Sequence, residues 1–191
     1  MRRQVMTENS HLRTKLRIRK QAVELIGKDS VNVLDAYAGE GVVWNRMRRE
    51  MPDVKFTTLG IEKRKYLSPS VIMGDNRKVM KGLDLTQFDL IDLDAFGCPW
   101  EQLAICAKTA IEVPVVATHI IVTLGPVPKP LLKMAGIPED WCDRRNVPQA
   151  LFNRWRWEWW ENYCAQLGYK TTEYEIHLDK SAVKRYEFLT S

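Results

Sequence analysis

Two apolar segments that end in acidic residues and glycine constrain the fold of this chain more than any other feature. The first reads VLDAYAGEG at residues 33–41, and the second reads FDLIDLDAFG at residues 88–97. A short, continuous apolar run bounded by turn residues is typical of a strand that is covered on both faces. In an open α/β sheet, the ends of such strands lie at the edge where ligands bind.

The rest of the sequence alternates predicted strands with predicted helices. Strands are expected at residues 31–34, 54–61, 70–73, 88–93 and 117–124, and helices at 11–27, 41–50, 77–82, 100–111 and 149–167. Alternation of this kind predicts parallel strands joined by helical crossovers. Two last strands, at 169–178 and 182–189, are close enough in sequence to form a hairpin. The predicted fold class is α/β, a doubly wound, mostly parallel seven-stranded sheet with a C-terminal antiparallel hairpin.

Length and charge patterning indicate one domain of residues 28–191, preceded by a basic helical extension of residues 1–27. Apolar residues such as Leu16 and Val23 line one face of this helix. Its basic residues, Lys15 and Arg19 among them, are expected on solvated surface or along phosphate groups. The net charge of +5 permits a polyanionic partner without requiring one.

Composition excludes several classes of protein. No apolar run approaches the ~20 residues that span a bilayer, so no membrane partner is expected. The four cysteines form no CxxC pair and the three histidines are dispersed, so no metal site is predicted. Reduced thiols and the lack of a secretory signal favour a cytoplasmic protein. The sequence leaves the oligomeric state undetermined.

The glycine turn at residues 35–41 has the pattern D-x-x-x-G-x-G. A dinucleotide-binding turn needs a third glycine where Trp44 stands, and no phosphate-binding loop of the G-x-x-x-x-G-K-[ST] type is present. Glu62 ends the second predicted strand, where a carboxylate can accept hydrogen bonds from two ribose hydroxyls. Asp75 follows the third strand and can accept from an exocyclic amine.

These elements, in this order and spacing, resemble the S-adenosylmethionine-dependent methyltransferases of the seven-stranded, Rossmann-like class. The resemblance covers about residues 31–189, including the final hairpin. It implies S-adenosyl-L-methionine as the cofactor. The cofactor-binding residues that it implies are Asp35, Tyr37, Gly39, Gly41, Glu62, Asp75, Asn76 and Asp92.

The segment DLDAFGCP, residues 92–99, is similar to the D-x-D-P-F-G-S-P segment of the tRNA guanine N2-dimethyltransferases. The resemblance implies that Asp94 and the Ala95 carbonyl orient a target amine and that Phe96 packs against its base. Methyl transfer to an amine needs acceptors that hold the nitrogen in line with the methyl group. Alanine stands where the family has proline, which removes a rigid φ angle. For Phe96, the hydrophobic core and base stacking are equally open.

Three further residues are candidates for binding the substrate. Arg144 and Arg145 lie in a proline-rich passage, residues 125–148, that is long enough to form a lid. Trp157 belongs to a tryptophan-rich helix, where Trp155, Trp159 and Tyr163 are expected in the core. A second stripe of Trp157, Trp160 and Cys164 suits either stacking or a dimer contact. His119 is expected to be a core histidine.

The sequence thus predicts an N-methyltransferase that acts on an exocyclic amine of a nucleobase, with RNA favoured over DNA. A DNA amino-methyltransferase and a small-molecule or protein N-methyltransferase remain alternatives. A non-catalytic nucleic-acid-binding or partner subunit that keeps the fold is the alternative from another class.

Overall fold

The structure is a computed structural model, and it describes residues 11–63, 70–120, 129–142, 149–178 and 183–191. The strands in this part of the chain are β1 (Ser30–Asp35), β2 (Lys55–Glu62), β3 (Val71–Met73), β4 (Leu90–Asp94), β5 (Val115–Ile120), β6 (Lys170–Leu178) and β7 (Val183–Thr190). The helices are α1 (Leu12–Ile26), α2 (Val42–Glu50), α3 (Asn76–Gly82), α4 (Trp100–Thr109), α5 (Lys129–Met134), α6 (Glu139–Cys142) and α7 (Gln149–Gln166).

All seven strands form one sheet in the order β3-β2-β1-β4-β5-β7-β6. The first five are parallel, whereas β7 is antiparallel to both β5 and β6. The predicted fold class is therefore confirmed, including the C-terminal hairpin. The predicted hairpin turn lies outside the described residues.

Helices cover both faces of the sheet, and each face has its own hydrophobic core. On one face, Val33 of β1 and Leu90 of β4 belong to the same buried cluster as residues of α1 and α2. On the other face, Leu34 and Leu93 belong to a cluster with residues of α4 and α7. Because alternate strand residues point to opposite faces, Asp35, Asp92 and Asp94 all lie on the α1–α2 face.

Helix α1 ends at Gly27, which adopts the left-handed conformation (φ 66°), as predicted from its position after the apolar stripe. The helix buries Leu16 and Val23, but it also buries Lys15 and Arg19. The expectation of solvated basic residues is wrong for these two, because carboxylates of β4 lie within reach of them. The helix packs against α2 and β7, while the division of the chain at residue 27 stays a prediction.

Two predicted segments differ in the structure. The proline-rich passage, residues 125–148, contains α5 and α6. Its residues 125–128 and 143–148 lie outside the described part of the chain. On α7, Trp159 and Tyr163 are buried as predicted, but Trp160 and Cys164 are fully buried too. The helix therefore has a core face wider than one stripe, because β5, β7 and α4 all supply partners for it.

Candidate cofactor and substrate site

The turn after β1 depends on two glycines in the left-handed conformation. Gly39 has φ 49° and Gly41 has φ 70°, which an L side chain rarely adopts, and Gly41 immediately precedes α2. The Gly41 amide donates to the Ala38 carbonyl at 2.8 Å, and the Gly39 amide donates to Glu62 Oε2 at 3.1 Å. Glu62, at the end of β2, thus holds the turn against its own strand.

Gly60 of β2 packs directly against this turn, and the sequence did not lead us to expect this contact. A Cβ atom at Gly60 would lie 2.7 Å from Ala38 Cβ and 3.0 Å from Val71 Cγ2. The turn can therefore approach β2 only because residue 60 has no side chain. A glycine inside the second predicted strand was the signal, because glycine within a strand often marks a close approach of another backbone.

A cavity of about 340 Å³ opens beside the glycine turn. Asp35, Gly39 and Gly41 line it together with Trp44 and Arg48 of α2 and residues of β2 and β3. Glu62, Asp75, Asn76 and Asp94, which the sequence assigned to the same site, are not among its lining residues.

Asp75 and Asn76 begin α3 and connect it to neighbouring elements. The Asp75 carboxylate caps the helix by accepting from the Arg77 amide at 3.0 Å, and it pairs with the Arg77 guanidinium at 2.8 Å. These bonds hold the pKa of Asp75 at about 2. Asn76 Nδ2 donates to the Ala36 carbonyl and its Oδ1 accepts from Gln102 of α4. Both residues therefore carry structural contacts at the positions predicted to flank adenine.

Asp92 is enclosed between the sheet and two helices. Its oxygens accept from Arg19 Nε at 2.7 Å, from Arg19 Nη2 at 2.6 Å and from Trp44 Nε1 at 2.7 Å, and the residue is 1% exposed. Sequence reasoning missed Arg19 and treated Trp44 only as an obstacle to dinucleotide binding. The predicted contact of Asp92 with a cofactor has no support from this geometry.

Asp94 lies one pleat further along β4, with its side chain at the edge of the same cluster. Lys15 Nζ lies 2.8 Å from Asp94 Oδ2, and Arg19 Nη2 lies 3.8 Å from the same oxygen. Burial alone would raise the pKa of Asp94, but the charges of Arg19 and Lys15 outweigh it and hold the pKa below its ordinary value. Asp94 is therefore an ionised acceptor at neutral pH.

Asp35 is the third carboxylate of this face, and its neighbour on β4 is Asp92. Its Oδ1 accepts from the Tyr37 amide at 3.2 Å, and no described cation forms an ion pair with it. Burial, followed by the charges of Asp92 and Asp94, raises its pKa well above the ordinary value. Burial also raises the pKa of the nearby Tyr37 hydroxyl.

The loop after β4 presents one aromatic ring to solvent. The Ala95 amide donates to the Thr118 carbonyl of β5 at 3.1 Å, which anchors the loop although proline is missing. Phe96 is 85% exposed, so the core alternative for this residue is wrong.

Of the remaining substrate-binding candidates, only Trp157 lies in the described part of the chain. Trp157 is half-buried on α7, and the guanidinium carbons of Arg156 and Arg185 lie 5.2 and 5.4 Å from its ring centre. Arg144 and Arg145 lie outside the described residues. His119 is confirmed as a core histidine, because it is fully buried and its Nε2 lies 2.8 Å from Glu187 Oε1.

The described ranges contain neither a candidate membrane span nor a candidate metal centre. No helix there combines the length and the apolar character needed to cross a bilayer. No group of three or more histidine, cysteine, aspartate or glutamate side chains in those ranges has the spacing of a metal site.

The strand order, the antiparallel hairpin and the two helical layers give this chain a Rossmann-like methyltransferase fold. A solved structure with this fold is Trm1 from Pyrococcus horikoshii in complex with S-adenosyl-L-methionine, which matches 94% of this chain with a TM-score of 0.51 and 16% identity. The chain spans 56% of the length of that protein. At this identity the likeness is one of fold.

Lower-scoring matches include an S-adenosylmethionine-dependent methyltransferase from Archaeoglobus fulgidus. It has a TM-score of 0.47 and 13% identity, with 93% of this chain and 92% of that chain covered. A 16S rRNA adenine methyltransferase from Catenulisporales acidiphilia has a TM-score of 0.47 and 10% identity, with 90% of each chain covered. No protein family profile and no curated protein matches the sequence.

Proposed function

We propose that this protein is an S-adenosylmethionine-dependent N-methyltransferase that modifies an exocyclic amine of a nucleobase in RNA, in the cytoplasm. The observation that carries the proposal is the end of β4. An ionised carboxylate at Asp94 is followed by the anchored Ala95 and by the 85% exposed ring of Phe96. Acceptors beside an exposed aromatic ring suit a planar base that carries an amine.

The residues around the glycine turn fit the cofactor by their chemistry. S-adenosylmethionine carries a positively charged sulfur, an ammonium group and ribose hydroxyls, all of which favour acceptor or anionic partners. Asp35 lines the cavity without a paired cation in the described chain, and Glu62 directs a carboxylate toward the turn. The fold match to a structure that holds this cofactor supports the assignment.

When bound, the cofactor supplies a methyl group on a positively charged sulfur. In the proposed reaction, Asp94 and the Ala95 carbonyl accept hydrogen bonds from the two N–H groups of the target amine, which turns its lone pair toward the methyl group. Phe96 stacks on the base and limits its rotation. The amine nitrogen would form its bond to the methyl carbon as the methyl–sulfur bond breaks, so that the cofactor would leave as the neutral thioether and the methylated nitrogen would release one proton to water. Orientation supplies the rate enhancement, and no covalent bond to the enzyme forms.

The first experiment measures cofactor binding by calorimetric titration of the protein with S-adenosylmethionine. A lack of binding would refute the enzymatic proposal and leave the non-catalytic alternative. The second uses cofactor with a tritiated methyl group and separates RNA, DNA, protein and small-metabolite fractions. We expect label in RNA, and label confined to another fraction would contradict the substrate class.

Asp94→Asn tests the site itself. The variant keeps the shape of the side chain but removes its charge, so we expect transfer to fall at least about a hundredfold, the lower end for loss of one key transition-state acceptor. Cofactor affinity is expected to stay within about threefold. Full transfer activity in this variant would show that Asp94 does not orient the amine.

A further inference from the structure

We propose that Lys15 of α1 is a positioning residue of the methyl-transfer site, which holds the Asp94 carboxylate in the orientation that receives the target amine. This inference rests on the proposed function. It adds to that function a residue from the first described helix, where the sequence indicated only a basic surface.

The geometry singles out Lys15 among the basic residues of α1. Its ammonium nitrogen lies 2.8 Å from Asp94 Oδ2, and the two side chains are 9% and 14% exposed. Arg19 cannot take the same role, because its Nε and Nη2 groups bond to Asp92 and its Nη1 group bonds to the Lys15 carbonyl. Arg19 thereby also fixes the backbone from which Lys15 extends.

The ion pair between Lys15 and Asp94 gives the two carboxylate oxygens of Asp94 different surroundings. Both nearby cations lie on Oδ2, at 2.8 and 3.8 Å. Oδ1 has neither cation beside it and is left for a substrate N–H, and the 14% exposure of the Asp94 side chain leaves room for access. Within the described chain, the charged or ionisable groups that face Asp94 are Lys15 and Arg19 from α1, Asp35 from β1 and Asp92 from its own strand. Its neighbour on β5 is the uncharged Thr118, whose hydroxyl also lowers the pKa of Asp94.

The test replaces Lys15 and follows the pH profile of transfer. Lys15→Met removes the charge, and Asp94 then faces the Asp92 carboxylate, the Asp35 carboxyl group and one cation, Arg19. Its pKa rises, so kcat falls on the acid side, by about tenfold for each pH unit below the new pKa. Lys15→Arg restores the cation and with it the wild-type profile. If Lys15→Met does not fold, Lys15→Gln takes its place, with the same expected fall in kcat at acid pH.

Lys20→Met is the matched control. Lys20 lies on the same helix, but its Nζ pairs with Glu50 Oε2 of α2, at 2.6 Å, and not with an acid of the site. We expect the control to keep the wild-type pH profile. A readout that needs no turnover is the ¹³C titration of the Asp94 carboxyl, assigned by its disappearance in Asp94→Asn. Its midpoint is expected to move upward in Lys15→Met.

An equal loss of kcat at every pH, or an unchanged carboxyl titration, would overturn the proposal for Lys15. Neither result affects the proposed function, provided that the cofactor binds and label reaches RNA. Failure of the cofactor to bind to the wild-type protein overturns the proposed function, and the inference for Lys15 with it.

Discussion

At the scale of single residues, the α1–α2 face of the sheet holds more acids than bases. Asp35, Asp92 and Asp94 are largely buried there, whereas Lys15 pairs with Asp94 and Arg19 pairs with Asp92. Isolated buried charges are costly, so one of the three carboxyl groups is best accommodated in the neutral form. Burial raises the pKa of Asp92 as well as that of Asp35, but Asp92 forms an ion pair with Arg19, whereas no described cation pairs with Asp35, so Asp35 is that group.

The first prediction concerns Asp35→Asn. The raised pKa means that the folded protein binds a proton that the unfolded chain, with a pKa of about 3.9, releases. The contribution of Asp35 to stability is therefore complete below about pH 4 and declines as the pH rises. Asparagine lacks this dependence, so the Tm of the variant relative to wild type should increase between pH 5 and pH 8 in thermal melts.

Asp89→Asn is the matched control for this experiment. Burial opposes the ionisation of Asp89, but the Asn32 amide and Lys28 outweigh it and lower its pKa. This carboxylate is ionised in the folded and unfolded states throughout pH 5–8, so its variant should show a constant Tm difference. A constant difference for Asp35→Asn as well would contradict the prediction of a neutral acid.

The second prediction concerns Phe96→Ala. The ring is 85% exposed, so its removal should leave the Tm unchanged. Loss of a stacking contact should raise the KM for the RNA substrate about tenfold, since stacking on an aromatic ring contributes ~1–3 kcal/mol per base. Steady-state kinetics with Leu25→Ala, an apolar residue of α1 that is 63% exposed, provide the control. An unchanged KM would show that the base does not contact Phe96.

At the scale of elements, the glycine turn and β2 fit together only through Gly60. Gly60→Ala would place a methyl group 2.7 Å from Ala38 Cβ, so the turn must shift. We expect a loss of about 1–3 kcal/mol in urea unfolding and weaker binding of S-adenosylmethionine. Gly82→Ala, which meets no atom within 4 Å, is the control and should be neutral or stabilising. Equal stability of both variants would contradict the close approach.

The sequence predicted those elements whose signals are local. The order of strands and helices, the turn glycines and Gly27 follow from patterns within a few residues. The ion pairs at the site did not, because Lys15 and Arg19 find their carboxylates more than 70 residues away, at Asp94 and Asp92. The sequence also placed Trp160 in a stripe for stacking or a dimer contact instead of the core. The reason is the same, since its position in the core depends on partners from three other elements. The exposure of Phe96 was likewise beyond what local patterns decide.

At the scale of the whole molecule, a buried polar cluster joins α7 to the last strands. Glu187 of β7 is fully buried and accepts hydrogen bonds from Trp160 and Thr171, and it pairs with Arg185 and His119. Burial alone would raise the pKa of Glu187, but His119 and Arg185 outweigh it and keep the carboxylate ionised. This one carboxylate therefore links Trp160 of α7 to side chains of β5, β6 and β7.

Glu187→Gln should destabilise the entire fold by about 3 kcal/mol, because breaking a buried ion pair leaves the other charge uncompensated. Urea unfolding monitored by tryptophan fluorescence measures the effect. Glu173→Gln, a partly exposed position on β6, should change stability by less than about 0.5 kcal/mol. A Glu187 variant as stable as this control would mean that apolar packing alone fixes α7.

The placement of α1 has a consequence for how the protein is made. This helix packs against β7, and its Thr14 and Arg17 side chains bond to Glu175 of β6 at 2.8 and 2.9 Å. On the ribosome, α1 emerges before every strand that it contacts, and β6 and β7 emerge after all the other described elements. Lys15 and Arg19 can meet their carboxylates once β4 has been made, about halfway through synthesis, whereas Thr14 and Arg17 gain their partner Glu175 only when translation has reached the final strands.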